Sequence, residues 1–207
     1  MNRRDLLKQI AILTGSAVVG SELFLTGCKT DPKPEAGFTP SHIALLDEVG
    51  ETIIPATTTP GAKAIKIGEF MKLVVTDCYT ETQQSAFMKG ISDLDLSCEK
   101  MHGQSFMQCD AVQRKDFLIT LEKDAKTLNS RNRVFNKAVS VLENIGSERD
   151  TLEPRLPSHY YTMMKQLTLL GFFTSETGMT ETLRHVPVPG RYDGALPYVK
   201  GEKAWAE

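Results

Sequence analysis

The stretch IGEFMKLVVTDCY, residues 67–79, decides the fold class. Its apolar positions Ile67, Phe70, Met71, Val74, Val75, Cys78 and Tyr79 recur at i, i+3, i+4, i+7 and i+8, the spacing that draws one continuous apolar stripe down an α-helix. A strand cannot use that pattern, because its alternate side chains point to opposite faces.

Working outward, the same grammar repeats. Upstream, Thr39-Pro40 offers a cap followed by proline at the first helical position, and Ile43, Leu46, Val49 and Ile53 follow at helical spacing. That helix must end by Pro55, and residues 55–64, PATTTPGAKA, are turn and loop material. Downstream, Thr80 with Gln83 makes a capping box for a helix with Phe87, Ile91 and Leu94 on one face. Asp110 begins a pattern through Phe117, Leu121 and Leu128, and a separate one runs through Phe135, Ala138, Val139 and Leu142. Pro157 and Ser158 open the last long helix, with Tyr160, Met163, Met164, Leu167 and Leu170 inward and an end at Gly171. A short helical turn is expected near Glu181. No alternating strand pattern of useful length occurs, so the class is all-α: a single domain of about five to seven helices. Residues 186–207, rich in Pro, Gly and aromatics, form an irregular tail.

The first residues belong to a different segment. MNRRDLLKQIAILTGSAVVGSELFLTGC has a basic start, a moderate apolar run and a small-residue exit, the layout of an export signal. Arg3 and Arg4 resemble a twin-arginine signal, with Asn2 where Ser or Thr is usual and Leu6 where Phe is commonest. A general secretion signal that carries two arginines is the alternative. Leu-Thr-Gly-Cys resembles a bacterial lipobox, which makes Cys28 the expected lipidated first residue of the mature protein. The apolar run is too short and too rich in Gly, Ser and Thr for a span of about twenty apolar residues. The division expected is a signal over 1–27, a lipidated tether over 28–38 and the helical domain over 39–207.

Removing 27 of 207 residues leaves enough chain for one domain with a hydrophobic core. A formal charge of −2 carries no footprint of nucleic-acid binding. After Cys28, three cysteines remain: Cys78, Cys98 and Cys109. One bridge plus one leftover thiol is the simplest arithmetic outside the cytoplasm, with Cys98 and Cys109, flanking residues 99–108, the favoured pair and the other pairings open.

Chemistry leaves little trace. His42, His102, His159 and His185 are scattered without metal-ligand spacing, and read as isolated or capping histidines. There is no dinucleotide fingerprint and no haem-attachment motif, so no cofactor is expected in this chain. The tail differs: Tyr192, Tyr198 and Trp205 sit among Pro187, Pro189, Gly190 and Pro197. Such aromatics either wrap back over the helices or dock on another protein, where Tyr and Trp are favoured anchors.

Three blocks carry a resemblance: ETIIPATTTPGAKAIKIGEFMKLVVTDCYT (51–80), LTLLGFFTSETGMTETLRHVPVPGRYDG (167–194) and KGEKAWA (200–206). The chain resembles the gluconate 2-dehydrogenase subunit 3 family, small subunits of membrane-associated flavin-dependent sugar and sugar-acid dehydrogenases. The resemblance implies a non-catalytic subunit beside a large flavoprotein of the glucose-methanol-choline (GMC) type that holds FAD, often with a cytochrome c subunit. The export signal and the lipobox add export, a lipid anchor in a bacterial membrane and a periplasmic setting. The expected contacts with the partner are Phe172, Phe173, Thr174, Ser175, Pro187, Pro189, Tyr192 and Trp205. The rival expectation is a free-standing lipoprotein with a ligand pocket between its helices, lined by Tyr160, Met163, Met164 and Phe172.

Overall fold

Thr39 opens a helix as its sequence predicts. In the computed structural model of the chain, which describes residues 37–145 (backbone alone for 141–145), 155–188, 190, 194–197 and 199–206, Thr39 Oγ1 accepts from His42 N at 3.3 Å. His42 Nδ1 accepts in return from Thr39 N at 3.3 Å. This reciprocal box, with a histidine in the place usual for Glu or Gln, starts α1 (Pro40–Ile53). The export segment with Arg3 and Arg4, Cys28, Pro189, Tyr192 and Tyr198 lie outside the described residues.

The loop after α1 is held by a carboxylate. Glu51 Oε1 accepts from Ala56 N at 2.8 Å and Oε2 from Lys63 N at 2.9 Å, while Ala62 N donates to Ile54 O at 2.9 Å. The chain then makes a 3-10 turn (Ala62–Ile65), passes Lys66 in a left-handed conformation with φ of 55°, and enters α2 (Ile67–Cys78). Lys66 offers no side-chain cap, so Asp47 of α1 supplies it, its Oδ1 accepting from Gly68 N at 2.8 Å. At the other end Gln84 Nε2 reaches the carbonyls of Val75, Thr76 and Tyr79 at 3.0 to 3.2 Å. The stripe itself is graded: Ile67, Met71 and Val75 are buried, Phe70, Val74 and Tyr79 half-buried, and Cys78 is exposed.

The Thr80 and Gln83 box starts α3 (Glu81–His102), which ends at Gly103 with φ of 73°. Next comes α4 (Ala111–Ile145), one helix of 35 residues where the sequence suggests two. Between Leu128 and Phe135 stand only NSRNRV, with no Gly or Pro to break the ladder. The far half of α4 therefore continues past the core, and Phe135, expected inward, is 45% exposed.

Residues 155–159 are not helical, so the last helix starts later than Pro157. Asparagines on α4 hold that segment instead. Asn136 exchanges two bonds with the Leu156 backbone, Asn132 donates to Pro157 O, and Asn129 Oδ1 accepts from His159 N at 2.8 Å. His159 then caps α5 (Tyr160–Thr174), its Nδ1 accepting from Tyr161 N at 3.2 Å. A neutral imidazole is needed for that bond.

Helix α5 is the centre of the bundle, in contact with each of the other four α-helices among the described residues. Met163, Met164, Leu167 and Phe172 are buried in it. Gly171 does not end this helix, as expected from sequence, but lies inside it. A Cβ there would sit 2.6 Å from Ile67 Cδ1 and from Phe70 Cδ1, so the absent side chain sets how closely α2 and α5 approach. Gly90 of α3 does the same against the Tyr160 ring.

After α5 a π-helical turn (Gly178–Thr182) occupies the place expected for a short turn near Glu181. The described residues form one compact unit, and there is no strand among them. One parallel bridge closes the tail: Arg184 N donates to Ala204 O at 2.8 Å and Ala206 N to Arg184 O at 3.1 Å. No helix of the described residues is long and apolar enough to cross a membrane.

Candidate partner-binding face

The outward side of α5 is apolar. With the inward side spent on the core, Leu169, Leu170 and Phe173 still stand 39%, 51% and 39% exposed. They occur at i, i+1 and i+4, on the face away from Met164 and Leu167. Leu170, expected inward, is thus a surface residue, because the inward arc is already filled by Leu167, Gly171 and Phe172. Leu73 of α2, 60% exposed, lies one turn from Phe70, whose ring meets Gly171. The seam between α2 and α5 is therefore flanked by exposed leucines on both helices.

Of the block expected to meet a partner, Phe172 is 1% exposed and belongs to the core, so it acts on the face through Phe173, whose ring packs edge-on against it at 5.3 Å. Thr174 and Ser175 finish the helix. Thr174 Oγ1 donates to Leu170 O at 2.7 Å, and Ser175 Oγ donates to Phe172 O at 2.7 Å while accepting from Gly178 N at 3.0 Å. Pro187 is exposed. The ring of Trp205 stacks beneath the Arg184 guanidinium, 4.1 Å from it, and remains 45% exposed. Its described ring contact is with the tail itself, not with the helical core.

The residues nominated for a ligand pocket are packed instead. Met163, Met164 and Phe172 are 3%, 0% and 1% exposed, and Tyr160 fills the notch at Gly90. Among the described residues, cavities lie elsewhere. One of about 470 Å³ is lined by Asn132, Arg133, Asn136 and Lys137 of α4 with Pro157 and Ser158; another of about 330 Å³ lies among Arg184, His185, Glu202 and Lys203.

Burial and ion pairing shift several titratable groups of the bundle. Burial pushes the Tyr160 and Tyr161 hydroxyls up to about 12, where neither serves as a base at pH 7. Burial lowers His159, against the opposing charges of Asp124 and Asp93. Glu48 of α1 is pushed up by burial but brought below the usual carboxylate range by its contacts with Lys63 and Arg114. Arg114 is the residue that sequence reading missed. Its Nη1 donates to Glu48 Oε2 at 2.6 Å, its Nε to Phe106 O at 3.0 Å and its Nη2 to Met107 O at 2.8 Å. No local motif announces such a junction. The exposed face did leave a signal, since LTLLGFF is apolar around the whole helix, and a helix of that kind is either buried or partnered.

Among the described residues no three His, Cys, Asp or Glu side chains are grouped to hold a metal ion. No curated protein and no solved structure matches the chain. The family model described as Gluconate 2-dehydrogenase subunit 3 matches residues 40–190, from the first residue of α1 into the tail. With the match spanning more than half of the chain, this protein belongs to the gluconate 2-dehydrogenase subunit 3 family.

Proposed function

We propose that the protein is a non-catalytic small subunit of an exported, flavin-dependent gluconate or sugar dehydrogenase complex. Membership of the family makes it a subunit of a dehydrogenase complex. The reading beyond that rests above all on the outward face of α5. A central helix that touches all four others and yet presents Leu169, Leu170 and Phe173 to solvent has surface left for another protein. The partner suited to that face is the large catalytic subunit, a GMC-type flavoprotein holding FAD, with a cytochrome c subunit passing electrons onward.

The two features of the first residues then serve two tasks. The twin-arginine route moves folded proteins, which suits a partner that takes up its flavin in the cytoplasm. Arg3 and Arg4 would export the small subunit with that partner bound. Lipid on Cys28 would hold the complex at the membrane, on the periplasmic side; two acyl chains suffice for stable attachment where one is marginal.

The test is a pull-down from native membranes on a carboxyl-terminal tag, read by gel and by absorbance in the flavin bands. A yellow eluate with a much larger second polypeptide supports the reading. A colourless eluate of this chain alone, from cells shown to express a candidate large subunit, overturns it. Replacing Arg3 and Arg4 with lysine separates the export claim: loss of the large subunit from the periplasm supports carriage, and unchanged export of that subunit removes it while leaving the subunit role standing.

A further inference from the structure

Cys98 and Cys109 face each other inside the bundle. Their Sγ atoms are 3.4 Å apart and both are free thiols, 0% and 4% exposed. Cys98 lies in the last turns of α3, and Cys109 lies two residues ahead of α4. The segment between them is pinned. Asp95 Oδ1 accepts from Phe106 N at 3.0 Å, the Phe106 ring is fully buried, Cys109 N donates to Ser105 O at 3.2 Å, and Arg114 grips the carbonyls of Phe106 and Met107. The two sulfurs therefore meet on backbones held by other bonds, and a shift of about 1.3 Å separates their contact from a disulfide of about 2.05 Å. The third thiol, Cys78, is exposed at the end of α2.

We propose that Cys98 and Cys109 are a dithiol–disulfide modification site open only before the chain has folded, so that their redox state in the mature protein records the compartment in which folding took place. The oxidant class is a disulfide donor, either a small-molecule disulfide or a thiol–disulfide oxidoreductase. One cysteine thiolate attacks a donor sulfur, forming a mixed disulfide and releasing one donor thiolate. The second cysteine thiolate then attacks the bridged protein sulfur, closing the Cys98–Cys109 bond and releasing the other donor thiolate. Two protons leave the protein thiols and two electrons pass to the donor.

Folding blocks both steps. A donor must touch sulfur, and both cysteines are buried. The attacking species is the thiolate, and burial, reinforced by the bond with Cys109, pushes the Cys98 thiol up to about 12. A chain that folds in a reducing compartment keeps the dithiol when it later meets an oxidant. One that crosses unfolded and folds beside a disulfide donor closes the bond. The further statement that the mature membrane protein carries the dithiol rests on the twin-arginine reading above, whereas the order of folding and closure does not.

The full chain, purified reduced, separates these. One sample is kept folded in oxidised glutathione; another is unfolded in urea and diluted into the same oxidant. Timed samples are alkylated in denaturant and mapped by peptide mass, with a Cys78→Ser variant run in parallel. Refolding is expected to produce a Cys98–Cys109 cross-link that escapes alkylation and is lighter by about 2 Da than the same peptides unalkylated and reduced, the two hydrogens lost. In the folded sample closure is slower by roughly a hundredfold or more, since it must await opening of the bundle, while exposed Cys78 reacts at once. Closure at equal rates in both samples, or refolding that never joins this pair, overturns the proposal. If the folding order holds but the protein taken from membranes carries the disulfide, the twin-arginine reading fails and the recording site stands.

Discussion

Arg114 on α4 and Glu48 on α1, 66 residues apart in sequence, meet through a 2.6 Å bond between Nη1 and Oε2. The same guanidinium holds the carbonyls of Phe106 and Met107, so one side chain fastens α1, α4 and the 103–110 connection. With both side chains less than a fifth exposed, Arg114→Ala is expected to destabilise the domain by about 1.5–3 kcal/mol, the range for bonds to charged groups. Arg114→Lys restores little, because a compact ammonium cannot reach three acceptors that a planar fork spans. Urea unfolding of the two variants checks this; full rescue by lysine would reduce the junction to simple charge.

Two groups give the stability a pH dependence with separate windows. His159 has its folded pKa lowered by burial, so the unfolded chain binds the proton more tightly. Its contribution is whole above the unfolded value of about 6.5 and is lost as pH falls through the lower folded value. Protonation also removes the Nδ1 acceptor that caps α5. Glu48, also lowered, contributes fully above the unfolded carboxylate value of about 4.3, and that part is lost at more acidic pH. Melting curves from pH 8 to 4 should show an early decline that flattens in His159→Gln and a later one that flattens in Glu48→Gln.

Gly171→Ala should be costly, at about 1–3 kcal/mol, because the added methyl meets Ile67 and Phe70 in a closed seam. Gly103→Ala tests a different cause. Nothing surrounds a Cβ there, but φ of 73° penalises any side chain, by about 1 kcal/mol. Thermal melts of both, with Gly103→Asn recovering part of the loss, separate crowding from backbone strain.

Trp205→Ala removes a ring that stacks on Arg184 outside the helical core. The melting temperature of the isolated subunit should hardly move, since an exposed cation–π pair is worth about 0.5–1 kcal/mol. Binding of the large subunit, measured by co-purification or calorimetry, should weaken if the tail contributes to the interface. A large fall in melting temperature would show that the tail braces the bundle.

The helices were legible wherever a local rule decides them. Thr39-Pro40, the Thr80 and Gln83 box and the stripe from Ile67 each depend on residues within one or two turns. Errors arose where a distant partner decides. Gly171 looks like a helix stop, yet it is an approach point for Phe70 a hundred residues earlier. Pro157 and Ser158 look like a helix start, yet asparagines on α4 bind the backbone of Leu156, Pro157 and His159 first. Leu170 fits an inward stripe by period, but α5 is apolar on every side, and the period cannot then choose the face. The Cys98 and Cys109 contact was legible as a spacing, while its burial was not.

If the outward face of α5 docks the catalytic subunit, changing that face should release it, and a comparative pull-down reads the loss. Tagged full-length wild type and the Leu170→Asp and Phe173→Asp variants would be recovered from native membranes, with the isolated subunits melted in parallel. Expected are unchanged melting for Leu170→Asp, a surface change within about 0.5 kcal/mol, lowered melting for Phe173→Asp, which loses an edge-on contact with buried Phe172, and loss of the large yellow polypeptide from both variants. Undiminished recovery of that polypeptide with both variants would contradict docking at this face.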